Sequence, residues 1–119
     1  GHKVIINFDN EQFNRLFFNL IKNSIESIKE KVKKTNKSLK NIDIEINQRR
    51  DYITINLIDT GEGFKNKKTK DIIKPYYTTK EKGTGLGLSI VDKIINDHNG
   101  SIKFLNTNNG AKVQIILPK

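Results

Sequence analysis

Lys80-Glu81-Lys82-Gly83-Thr84-Gly85-Leu86-Gly87-Leu88-Ser89 sets three glycines at alternate positions and leads them straight into a segment with helical periodicity. Glycine lets a backbone turn tightly and bring its N–H groups close to a ligand. A helix start adds unpaired donors and the positive end of a dipole, so such an entry favours phosphate. A flexible turn is the plainer reading of the glycines alone. Spacing excludes two other phosphate motifs. A dinucleotide fingerprint needs G-x-G-x-x-G after a strand, whereas here G-x-G-x-G follows a polar loop. A P-loop ends in Gly-Lys-Ser/Thr, which is absent from this stretch.

Downstream, the helix is expected from near Gly85 to about Asn96, with Leu88, Val91, Ile94 and Ile95 as its apolar stripe. His98-Asn99-Gly100 ends it, with Gly100 expected to supply the positive φ of the terminus. Residues 101–106 and 112–117 read as a closing hairpin around Asn108-Asn109-Gly110. Upstream, residues 76–84 read as a loop, and residues 69–74 as a short helix stopped by Pro75. Ile42, Ile44 and Ile46 alternate with polar residues, as do Ile53, Ile55 and Leu57, and residues 48–51 join the two runs as a hairpin. Residues 3–8 form a short β-branched run, and Asp9 or Asn10 is placed to cap a long helix reaching about Lys34. Phe13, Leu16, Phe17, Leu20, Ser24, Ile25 and Ile28 carry its i, i+3, i+4 period, and residues 33–40 read as a solvated loop. The pattern predicts an α/β two-layer sandwich with helices on one face of the sheet.

The chain's 119 residues fit one domain. Residues 1–2 read as a tag remnant and residues 3–119 as the domain. No cysteine is present, which excludes disulfides and thiolate metal sites, and no apolar run reaches the roughly 18 residues that span a bilayer. The net charge of +9 raises the question of nucleic acid. The basic residues are mostly lysines spread over helix ends and loops, with arginine only at Arg15, Arg49 and Arg50 and no basic motif interleaved with aromatics. The charge therefore points to phosphate-rich ligands or acidic partners rather than to nucleic acid.

Two further stretches carry chemistry. Asp59-Thr60-Gly61-Glu62-Gly63-Phe64 closes an Ile-rich strand. A buried carboxylate there can accept a hydrogen bond from the exocyclic amine of adenine, which guanine lacks at that place; the alternative is a turn Asp making local backbone bonds. Asn19, Asn23 and Glu26 fall at i, i+4 and i+7 on one helix face. An Asn carbonyl is a neutral hard ligand suited to a Mg²⁺ ion already neutralised by phosphates.

Taken in order, an Asn-bearing helix, Asp-x-Gly-x-Gly, Pro75-Tyr76-Tyr77-Thr78-Thr79-Lys80 and the glycine-rich helix entry closely resemble the catalytic domain of sensor histidine kinases. That family belongs to the wider ATPase superfamily shared with gyrase, the Hsp90 chaperones and MutL. The resemblance covers nearly the whole chain, and residues 75–91 look most like the nitrogen-regulation branch. It implies a Bergerat-type fold with a mixed, mostly antiparallel sheet, and ATP and Mg²⁺ as cofactors. Asn23 matches the Mg²⁺-binding Asn, Asn19 the catalytic-position residue one turn earlier, and Asp59 the adenine-binding Asp, with Gly61 and Gly63 shaping its pocket. Gly83, Thr84, Gly85, Leu86, Gly87 and Leu88 match the phosphate-binding segment. Residues 76–84 match the lid over ATP, with Thr79, Lys80 and Lys82 beside the phosphates.

Ile73 and Lys74 replace the usual Phe and Glu before the Pro, and Ala111 stands where some relatives have Thr. ATP-hydrolysing members carry a Glu where this chain has Asn19, and an amide cannot act as a general base. The resemblance thus implies transfer of the γ-phosphoryl group to a histidine on a separate dimerisation domain, with a response regulator further on. It also implies a monomeric, cytoplasmic domain of a parent open to membrane anchoring. His2 and His98 lack the acceptor's sequence pattern. An ATP-hydrolysing switch, an anti-sigma-type serine kinase and a non-catalytic nucleotide sensor are the competing expectations.

Overall fold

The computed structural model describes residues 9–35, 40–64 and 87–119. The expected strand over residues 3–8, the short helix over 69–74 and the loop over 76–84 lie outside them. Six elements are present among the described residues: α1 (Asn10–Thr35), β1 (Ile42–Gln48), β2 (Tyr52–Asp59), α2 (Gly87–Asp97), β3 (Ser101–Asn106) and β4 (Ala111–Pro118).

Helix α1 starts where Asp9 Oδ1 accepts the N–H of Gln12 at 3.1 Å, which makes Asp9 the cap. Leu16, Leu20, Ser24 and Ile28 form its buried stripe. Ile25, counted with that stripe from the sequence, is instead 42% exposed, because a 100° step per residue carries it past the edge of the core.

Among the described residues the strands form one sheet in the order β1-β2-β4-β3, and their three pairings are antiparallel. Register aligns the apolar alternation into rows: Ile46, Ile55, Ile115 and Ile102 lie side by side, and next to them Ile44, Leu57, Val113 and Phe104. Both helices cover this face. Leu16 and Leu20 of α1 and Val91, Ile94 and Ile95 of α2 join the β2, β3 and β4 residues in one core. Each such side chain, fully buried, contributes about 1.5–3 kcal/mol. The two-layer sandwich expected from the alternation is what forms. On edge strand β1 the rows run out from under the helices, so Ile44 and Ile46 face the core side yet stay about half exposed.

The end of α2 corrects one expectation. The residue with positive φ is Asn99, at 60°, not Gly100. Gly100 N–H bonds Ile95 O at 2.9 Å and Asn99 N–H bonds Asn96 O at 3.0 Å, the paired bonds of a Schellman ending, and Asn is the side chain that best tolerates the left-handed position. Gly100 serves another need: a Cβ there would lie 2.6 Å from Ile116 O and 2.8 Å from a Leu117 methyl.

Candidate functional site

The row beyond the apolar ones reads Ile42, Asp59, Ala111, Asn106. Asp59 thus continues the core-facing alternation of Ile53, Ile55 and Leu57, and its carboxylate points under the helices with 5% of its surface exposed. A charge so placed requires hydrogen-bond partners. Oδ2 accepts from the Ser24 hydroxyl of α1 at 2.8 Å, and Oδ1 accepts from Gly61 N–H at 2.8 Å. The local bond of a turn Asp is therefore present, but it occupies one oxygen only.

The loop after β2 is held from several sides. Glu62 N–H donates to Ser27 Oγ at 2.8 Å, and a Cβ on Gly61 would collide with that Ser27 side chain. Gly63 adopts φ 78°, which glycine takes without penalty, and Phe64 N–H donates to Asn106 Oδ1 at 2.7 Å. The Phe64 ring meets Phe104 edge-on at 5.3 Å. Gly110 lets the β3–β4 turn approach the backbone of residues 59–61. From the far end of α1, Lys34 pairs with Glu62 at 2.9 Å. The hydrogen bond to Glu62, then its charge, holds the Lys34 ammonium above the usual lysine value. Lys31 Nζ donates to Asn109 O.

The remaining site residues stand as follows. Asn23 and Asn19 are half-buried on α1; Asn23 directly precedes Ser24, so it lies in the helical turn that touches Asp59. Asn19 Nδ2 donates back to Arg15 O at 2.8 Å. Gly87 opens α2, and Leu88 is partly buried against the core. Thr79, Lys80, Lys82, Gly83, Thr84, Gly85 and Leu86 lie outside the described residues. Ala111 pairs directly with Asp59 across β2 and β4. Sequence reasoning assigned no role to Ser27, read Asn106 and Gly110 only as parts of the closing hairpin, and placed Ser24 in the apolar stripe. Its one available signal was a hydroxyl standing where an aliphatic side chain was due.

The described part of the candidate site is thus a buried carboxylate at a strand end, backed by a helix that carries two amides and followed by a glycine loop. The profile of the histidine kinase-, DNA gyrase B- and HSP90-like ATPases matches residues 8–119. The chain belongs to this family. Its relatives there include sporulation kinases and sensor histidine kinases. Sporulation kinase C of Bacillus subtilis is 36% identical over 115 residues, which are 96% of this chain and 25% of that protein. Nitrogen regulation protein NtrY of Azorhizobium caulinodans is 35% identical over 110 residues, 92% of this chain and 14% of that protein. The solved catalytic domain of histidine kinase ThkA superposes with a TM-score of 0.78 at 31% identity, covering 96% of this chain and 70% of that one. The chain therefore spans a quarter or less of these curated relatives and has the ATP-binding catalytic domain of sensor histidine kinases as its counterpart. No helix among the described residues is long and apolar enough to cross a membrane.

Proposed function

We propose that this domain binds Mg-ATP through Asp59 and Asn23 and donates the γ-phosphoryl group to a histidine on a separate dimerisation domain of its parent kinase. The observation that carries this reading is the Asp59 carboxylate, buried on the helix side of the sheet and fixed by Ser24 and Gly61. Those two bonds use half of its acceptor positions, which fits it to receive a base amine. Gly61, where a Cβ has no room, keeps the loop close to the strand end. A divalent ion would be shared between Asn23 and the nucleotide phosphates, because an Asn carbonyl is a neutral hard ligand. Bound there, it would neutralise charge on the transferring group.

Transfer needs positioning more than proton chemistry. The acceptor imidazole attacks the γ-phosphorus and ADP leaves. The Asn19 amide is too weak a base to take a proton from water and bonds its own helix, which disfavours the rival reading as a fast ATP-hydrolysing switch. His98 Nδ1 sits 2.8 Å from Ile94 O, closing the end of α2, which supports a structural role for that histidine and an acceptor elsewhere. Residues 76–84 would supply the lid, with a response regulator receiving the phosphoryl group in turn.

Calorimetric titration with a non-hydrolysable ATP analogue, with and without Mg²⁺, tests the proposal. Binding that strengthens with Mg²⁺ in the parent chain but not in Asn23→Ala is the expected result. Absence of any nucleotide binding by the folded chain overturns it.

A further inference from the structure

Ser24 stands in the apolar stripe of α1 and is 4% exposed. A serine inside a helix commonly turns its hydroxyl back to a carbonyl of its own preceding turn. Here the hydroxyl reaches across the domain to Asp59 Oδ2 at 2.8 Å, 35 positions along the chain. The other carboxylate oxygen takes Gly61 N–H. That amide is itself held in place, because Ser27, one turn after Ser24, accepts the next N–H and occupies the space beside Gly61.

The terminal torsion of an aspartate is broad and roughly two-fold, so a carboxylate with one donor can swing. With a fixed donor on each oxygen its plane is set, and each oxygen keeps one acceptor position in a defined direction. We propose that Ser24 is a positioning residue for base selection. By holding Oδ2 of Asp59, it fixes the orientation in which the carboxylate meets the exocyclic amine of adenine, and so sets the domain's preference for adenine over purines without that amine. This rests on the reading of Asp59 as the base-binding carboxylate.

The test compares ADP with purine-riboside 5′-diphosphate, which carries hydrogen in place of the amine, at constant Mg²⁺. Affinities are measured by calorimetry for the parent chain, Ser24→Ala, Asp59→Asn and the double variant, with melting temperatures alongside. Alanine suits a helix interior, so Ser24→Ala folds. Ser24→Ala is expected to weaken ADP about 10-fold and the amine-free nucleotide by less than about 2-fold. Added to Asp59→Asn, it should change neither affinity further. Equal weakening of both nucleotides means a merely structural hydroxyl and overturns the proposal, as does a preference ratio within about 2-fold of the parent's. The Asp59 reading fails separately: it falls if Asp59→Asn keeps the parent's preference for ADP, whatever Ser24→Ala does.

Discussion

Asp59 shows how one position serves two levels of structure. Its side of the strand is set by the alternation that buries Ile53, Ile55 and Leu57, and its chemistry by the hydroxyl and amide that meet it there. Replacing it with Asn removes the charge while keeping the volume. Asp59→Asn is therefore expected to lower adenine-nucleotide affinity by at least about 10-fold, measured by titration, with the fold unchanged by circular dichroism. Gly61→Ala tests the loop rather than the charge. The new methyl would meet Ser27 and the Asp59 carboxylate, so the loop must move. A loss of about 1–3 kcal/mol in urea unfolding is expected, together with weaker nucleotide binding. A stability matching the parent's would show that the loop has slack the close contacts deny.

At the scale of elements, α1 is the organiser. Its first turn is capped by Asp9, its middle supplies Leu16, Leu20 and Ser24 to the core and site, and its last turns send Lys31 and Lys34 to the two loops beside Asp59. Asp9→Ala should cost about 1 kcal/mol of stability by denaturant unfolding without altering nucleotide preference. A change in preference would mean that the cap acts on the site through the helix. Asn99→Ala, at the end of α2, puts alanine in place of the side chain type that best tolerates the left-handed position. A cost of about 1 kcal/mol is expected, whereas Asn99→Gly should remain near the parent in the same measurement.

For the whole molecule, the site exists because two layers close on each other: the carboxylate comes from the sheet and its hydroxyl partner from the helix. Ile115, wholly buried in the central row, reports on that closure. Ile115→Ala should cost about 2–5 kcal/mol, seen as a lowered denaturation midpoint. The reading of the chain as one part of a longer kinase gives a further outcome. Incubated alone with labelled ATP, it should bind nucleotide and incorporate little label, and label should appear on an added histidine-bearing dimerisation domain. Stoichiometric labelling of the isolated chain would place the acceptor within it.

The amino-acid sequence by itself determined the layer architecture, the identities of the helices and strands among the described residues and the family. Each of these follows from short-range periodicity, or from glycine, amide and carboxylate residues at fixed local spacing. Asp59, Gly61 and Gly63 were legible as candidate site residues for that reason. Only the tertiary structure decided that Ser24 meets Asp59 and that Ile25 lies at the surface, that Ser27, Asn106 and Gly110 hold the loop, and that Asn99 rather than Gly100 takes the left-handed turn. Several of those outcomes depend on which atoms meet across long gaps, 35 positions for Ser24 and Asp59 and 42 for Phe64 and Asn106. No local pattern encodes such meetings, because they are fixed only when the sheet register and the seat of the helix upon it are set together.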